Sequence, residues 1–296
     1  MPAAVECSGL HKSYGPHEAL CGLDLEVPSG SLFGLLGPNG AGKSTTLRIL
    51  AGLIRSDAGS ARVLGMDVSD HVAAVAKASF LIEDAVFPAH LTASETIKRA
   101  GAYAGIEADQ GVLERVGISY AADRKTGGFS HGMRQRLGLA CSLLGAPDLL
   151  VLDEPQNGLD PKGLQMIRGI LQEEHARGAT VLVSVHRLAE VEGLCTHAAI
   201  LVSGRTLRSG AVEDLLHTED SRYRLRVNDP ERARAAIAEA LPDLGCDAQD
   251  GVLILKATEA QAADAAAACV GADVRVFELA LQRHTLDDLY LREVDR

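Results

Sequence analysis

Hydrophobic and polar residues alternate early in the chain and run together later. Leu23-Asp24-Leu25-Glu26-Val27 changes side at every residue, the period of a half-buried strand. Pro28-Ser29-Gly30 then ends it as a turn. Residues 4–30 therefore predict short strands joined by turns, VECSGLHKSYG and then EALCGLDLEVPSG. Leu32-Phe33-Gly34-Leu35-Leu36 does not alternate, nor do Leu149-Leu150-Val151-Leu152 and Thr180-Val181-Leu182-Val183-Ser184-Val185. Short continuous apolar runs mark strands covered on both faces, as in a parallel sheet with helices on either side. After the turn Asp57-Ala58-Gly59-Ser60, ARVLG is strand-like and HVAAVAKAS helix-like. Leu91 to Arg124 is helical with Gly and Pro interruptions, and Thr92-Ala93-Ser94-Glu95 forms a capping box at its start. SHGMRQRLGLACSLL passes from a turn into a helix with Leu137, Cys141 and Leu144 on one face. A helix-rich insertion between strands, at about 85–145, predicts a separate lobe.

From about residue 220 the texture changes. Tyr223-Arg224-Leu225-Arg226-Val227 alternates, PERARAAIAEALP is helical, a short strand lies near Leu244 to Ala248, and GVLILKA is another. TEAQAADAAAACV is helical and ADVRVFEL a strand, before an amphipathic HTLDDLYLREV. The order β-α-β-β-α-β predicts a small split-βαβ module. Two domains are expected, 4–216 and 217–296, the second a regulatory or docking addition without a catalytic constellation.

With 296 residues and 47% hydrophobic content, the chain is long enough for a large α/β domain and an appendage, and too apolar for global disorder. A formal charge of −11 argues against nucleic acid as a partner, since such binders carry a basic face. The six cysteines are scattered without a C-x-x-C pair, the usage of reduced core thiols rather than of disulfides or a metal site. The start MPAAVECSGL lacks a basic segment before an apolar stretch, so no signal peptide is visible. No apolar run reaches the ~18 residues of a membrane span. A cytoplasmic protein is expected, reaching the inner face of a membrane only through a partner chain.

The chemistry concentrates at the ends of the apolar runs. After Leu36 comes Gly37-Pro38-Asn39-Gly40-Ala41-Gly42-Lys43-Ser44-Thr45 and then a helix, the strand–G-x-x-x-x-G-K-[ST]–helix order of a phosphate cradle. The bare pattern arises by chance in roughly 1% of chains this long, so the flanking strand and helix matter. Glycines let backbone N–H groups converge, and the helix N-terminus favours an anion. Lys43 is expected to bridge the outer phosphates and Ser44 to ligate Mg²⁺. The run at 149–152 ends in Asp153 and Glu154, suited to a Mg²⁺ ligand and a water-activating base. The run at 180–185 ends at His186, placed to touch a γ-phosphate.

Taken together, Tyr14, GPNGAGKST (37–45), FSHGMRQR (129–136), LLVLDEP (149–155), NGLDP (157–161) and SVH (184–186) resemble, in order, the motifs of the ATP-binding cassette of ABC transporters. The resemblance covers about residues 4–216 and implies a P-loop NTPase fold with a RecA-like core, an antiparallel β subdomain and a helical lobe. The small C-terminal α+β module follows. The tail HTLDDLYLREV looks like the closing helix of exporter ATPases whose permeases are separate chains. By resemblance Tyr14 stacks on adenine, and Gly37, Pro38, Asn39, Gly40, Ala41, Gly42, Lys43, Ser44 and Thr45 hold the phosphates. Asp153 positions Mg²⁺, Glu154 polarises the attacking water and His186 senses the γ-phosphate. Asp160 ties the two sites of a dimer together, while Ser130 and Gly132 touch ATP bound to the opposite subunit. The implied partners are an integral-membrane permease and a second ABC subunit, which ATP joins and hydrolysis releases.

Two positions depart from the family pattern. Glu83 stands where Gln is usual; a carboxylate there is a further candidate Mg²⁺ ligand and resembles the variant of exporters for lantibiotics and bacitracin. A tolerated substitution or a register one residue off is the plain alternative. His131-Gly132-Met133 replaces the usual Gly-Gly-Gln, which bears on hydrolysis, and Gln156 stands where Thr is common. Two other readings fit parts of the pattern: a non-hydrolysing regulatory nucleotide-binding module, and an ABC ATPase of translation or repair. The latter carries tandem cassettes or long coiled-coil insertions, absent from this sequence. The permease selects the cargo, so antibiotic or peptide export rests on resemblance alone.

Overall fold

The computed structural model describes residues 3–70, 77–83, 85–185, 193–216, 222–249 and 252–282. It divides into two compact units, Met1–Val212 and Glu213–Arg296. In the first unit the apolar runs do become a parallel sheet. Strands β3 (Leu32–Leu36), β7 (Leu149–Asp153) and β8 (Thr180–Val185) are buried at every position. With β6 (Ala78–Leu81), β9 (His197–Val202) and β10 (Arg205–Ala211) they form one sheet in the order β10-β9-β3-β8-β7-β6. Only β10 runs antiparallel to its neighbour. The register sets Asp153 beside Ser184 and Leu36 beside Val185, so the chemistry-bearing strand ends share one edge of the sheet. That is where open α/β sheets build their sites.

A second, antiparallel sheet has the order β2-β1-β4-β5 and consists of β1 (Ala3–Tyr14), β2 (His17–Pro28), β4 (Ala58–Val63) and β5 (Met66–Asp67). The predicted short strands are in fact two strands of 12 residues each. Gly9 and Gly22 sit at register shifts between Cys7 and Leu10 and between Leu23 and Cys21, both with positive φ. They are bulges that bend a long strand without ending it. Val5, Leu10, Leu23 and Leu25 from this sheet share a core with Phe33, Leu35, Val151 and Leu182.

The expected helical lobe holds α2 (Ala93–Ala104), α3 (Val112–Arg115) and α4 (His131–Ser142). The capping box at Thr92 is complete: its hydroxyl accepts from the Glu95 amide at 3.1 Å, and the Glu95 carboxylate accepts from the Thr92 amide at 2.7 Å. Gly105 stops α2 in the left-handed conformation. The hairpin β9–β10 was absent from the expected elements. Its signal is Ser203-Gly204, both at positive φ, the two-residue turn that matches strand twist. The helix-like 71–76 lies outside the described residues.

In the second unit β11 (Arg222–Val227), β12 (Gly245–Gln249), β13 (Val252–Lys256) and β14 (Val276–Gln282) form a sheet of order β12-β13-β11-β14. Helices Pro230–Ala240 and Glu259–Gly271 supply Ala233, Ile237, Ala262 and Ala265 to its core. The chain order is the predicted β-α-β-β-α-β; the terminal HTLDDLYLREV lies outside the described residues.

Candidate nucleotide site

The glycine-rich turn links β3 to α1 (Lys43–Leu50). Gly42 caps the helix at φ 102°, and a Cβ there would stand 2.8 Å from the Ala19 carbonyl oxygen. Only glycine fits that left-handed, crowded position. Lys43 is almost wholly buried. Its ammonium donates to the carbonyls of Gly37 at 2.6 Å and Pro38 at 3.1 Å, across the mouth of the loop. Burial pushes the Lys43 pKa below its ordinary value, and the negative charges of Glu154 and Asp153 oppose that shift. A cation partly stripped of water and held by backbone carbonyls suits an incoming anion.

One cleft of about 260 Å³ is lined by Asn39, Gly40, Gly42, Lys43, Ser44 and Thr45 on one side, with Tyr14, His17 and Glu154 also in its wall. Tyr14 closes β1 at the two-residue turn to β2, where it pairs with His17. Tyr14 is 44% exposed, and the Lys12 ammonium lies 5.9 Å from its ring centroid. The structure thus places the aromatic candidate and the phosphate loop at one cleft.

The carboxylates at the end of β7 are organised by a residue whose role was not legible beforehand. The fully buried Ser184 hydroxyl donates to Asp153 at 2.5 Å and accepts the Glu154 amide at 2.9 Å. Glu154 holds φ 48°, a strained setting for a residue with a Cβ. Asn157 helps to fix it, through its side-chain amide on the Glu154 carboxylate (2.5 Å) and its backbone N–H on the Glu154 carbonyl (3.0 Å). Ser184 thus holds one Asp153 oxygen at the sheet edge, while Glu154 lines the cleft.

Ser130 caps α4, its hydroxyl accepting the Met133 amide at 3.2 Å. His131 follows, and its ring lies against Gly158, where a Cβ would come within 2.2 Å of Nδ1. Gly132 lies near the Gly158 carbonyl, 3.2 Å from where its own Cβ would stand. Asp160 caps α5 (Pro161–Ala176), accepting from Gly163 at 2.9 Å and pairing with Arg136 at 3.1 Å. So the 130–132 turn and the 157–160 loop pack together within one chain. Glu83 forms an ion pair with Arg48 of α1. Burial works against the Arg48 charge, but Glu83 and the Tyr14 hydroxyl outweigh it and raise the Arg48 pKa. His186 lies outside the described residues. All six cysteines are free, and burial pushes the thiols of Cys7, Cys141 and Cys195 up to about 12.

Residues 20–157 match the defining pattern of the family described as ABC transporter. The chain is 39% identical over 241 residues to the daunorubicin/doxorubicin resistance ATP-binding protein DrrA of Streptomyces peucetius, covering 78% of this chain and 73% of that one. It is 30% identical over 298 residues to the bacitracin transport ATP-binding protein BcrA of Bacillus licheniformis, covering 99% and 97%. A solved ATP-binding subunit of an ABC transporter superposes with a TM-score of 0.67 at 28% identity, over 72% of this chain and 91% of that one. The chain belongs to the ABC transporter family, among its ATP-hydrolysing, ATP-binding subunits.

Proposed function

We propose that this chain powers an exporter by hydrolysing Mg²⁺-bound ATP as one half of a dimer seated on a separate membrane permease. The observation that carries the chemistry is the single cleft shared by the phosphate loop, Tyr14 and Glu154. Lys43 exchanges its two carbonyl partners for phosphate oxygens. Glu154, held at the rim by Ser184 and Asn157, orients and polarises water for attack on the terminal phosphate. Ser44 and Asp153 are oxygen donors of the kind Mg²⁺ takes with substrate phosphates, neutralising charge that develops on them.

Tyr14 stacks on the base, and His186 contacts the γ-phosphate by resemblance to the family. Ser130 and Gly132 complete the site of the opposite subunit, and Asp160 joins the two sites. No described helix is long and apolar enough to cross a membrane; a separate permease supplies the transport path in this reading, by resemblance to the family. The exported compound is an antibiotic or peptide, a reading supported by the relatives named for daunorubicin and bacitracin. The accessory unit from about 217 to 296 regulates or docks. Co-expression with the neighbouring permease tests the whole: ATP-dependent uptake into inverted vesicles is expected. A purified chain that neither binds nor hydrolyses Mg·ATP, alone or with the permease, would overturn the reading.

A further inference from the structure

Helix α4 begins at His131, directly after its Ser130 cap. The imidazole occupies the space beside Gly158: a Cβ on that glycine would stand 2.2 Å from Nδ1 and 2.7 Å from Cε1. Gly158 also holds φ 73°, the left-handed setting that favours glycine. The residue before it is Asn157. Its side-chain amide donates to the Glu154 carboxylate at 2.5 Å, and its backbone N–H donates to the Glu154 carbonyl at 3.0 Å. Two residues after Gly158, Asp160 accepts from Arg136, on the second turn of α4, at 3.1 Å. Helix α4 thus grips the 157–160 loop at two points. Gly132 adds a third, its Cβ position lying 3.4 Å from Leu159 Cδ2. His131, Asn157 and Gly158 are all exposed in the single chain, so the grip is one of contact and not of burial. A glycine at position 131, usual in the family, has no side chain to set against Gly158.

From this we infer that His131 is a positioning residue for Glu154. Gly158 gives its loop more backbone freedom than any other residue type, and the imidazole takes part of that freedom away. The peptide plane between Asn157 and Gly158 is stiff, so where Gly158 stands decides where Asn157 stands. Asn157 in turn sets both the backbone and the carboxylate of Glu154. The inference rests on the nucleotide reading above, in which that carboxylate polarises the attacking water. The ring acts through its shape; no proton or bond is exchanged.

Hydrogen exchange of the ligand-free, full-length protein tests the contact, read by mass spectrometry over residues 156–160. His131→Gly should speed exchange there about two- to fivefold, a change of ~0.4–1 kcal/mol, and leave Lys43–Leu50 at the parental rate. His131→Phe, which keeps a flat ring beside Gly158, should hold the parental rate at 156–160. Steady-state ATPase kinetics test the consequence. His131→Gly should lower kcat about three- to thirtyfold with KM unchanged, short of the ~100-fold that a misplacement of ~1 Å can cost. Position 131 also lies in the turn proposed for the opposite subunit's nucleotide. The deciding comparison therefore repeats His131→Gly in an Asn157→Ala background, where kcat should fall no further. Parental exchange in His131→Gly, exchange in His131→Phe as fast as in His131→Gly, or an equal fall of kcat in both backgrounds overturns the positioning role while the nucleotide reading stands. A parent protein that hydrolyses no ATP, alone or with the permease, overturns the nucleotide reading and the role of His131 with it.

Discussion

Lys43 and Ser184 show how single side chains set the behaviour of the cleft. Burial lowers the Lys43 pKa from its ordinary 10.5, whereas a bound phosphate favours the charged form. Nucleotide binding should therefore take up protons as pH rises toward 10.5, and affinity should fall over the same window. Calorimetry in buffers of different ionisation enthalpy measures both; Lys43→Arg, always charged, should abolish the uptake. Ser184→Ala removes one hydroxyl that serves two neighbours, leaving a buried Asp153 oxygen without its donor and the Glu154 amide without its acceptor. A destabilisation of about 1–3 kcal/mol is expected for such orphaned groups, read from denaturant midpoints. Turnover should fall as well, because the strained Glu154 backbone loses one of its two anchors and keeps Asn157 alone.

At the scale of elements, the helical lobe is tied to the core by a buried carboxylate. Glu174 on α5, almost wholly enclosed, accepts from Arg115 of α3 at 2.8 Å and from Arg177 at 2.7 Å. Arg177 in turn donates to the Pro147 carbonyl just before β7, at 2.7 Å. Cutting such a network from the centre leaves Arg115 only with Glu173 and Arg177 only with the Pro147 carbonyl, while both arginines keep some water contact. Glu174→Ala should cost about 2–4 kcal/mol, at the lower side of a fully buried pair. Hydrogen exchange should show the loss concentrated in Val112–Arg115 and its neighbours; a uniform loss over the whole unit would argue against a lobe-specific brace. Since α4 in the same lobe presents Ser130, the brace bears on where that turn stands.

At the scale of the whole molecule, the cleft described here is half of the proposed site, the other half being a second copy's 130–132 turn. Glu154→Gln should leave ATP binding intact while cutting turnover by ~10²–10⁴, the span expected for a lost general base. With ATP and Mg²⁺ it should accumulate as a dimer in light scattering. A variant that keeps parental turnover would remove Glu154 from its role, and one that stays monomeric with ATP bound would remove the second copy. The His131 ring on Gly158 couples the turn to the loop that carries Asp160. A partner nucleotide at Ser130 would thus be felt within this chain's own 157–160 segment.

The amino-acid sequence by itself determined the parallel core, the phosphate loop, the carboxylate pair and the β-α-β-β-α-β order of the second unit. Each is local: an apolar run, a glycine spacing or a capping box acts over a few residues. Bulged 12-residue strands were not legible, because a glycine in a bulge and a glycine in a turn look alike until a partner strand fixes the register. Tertiary structure alone decided the rest. Ser184 reaches Asp153 and Glu154 across two neighbouring strands, and Arg48 of α1 meets Glu83 beyond the end of β6. Contacts of that kind join positions some 30 residues apart or more. No spacing rule encodes them; they exist because the sheet register and the close packing of α1 bring those side chains within reach.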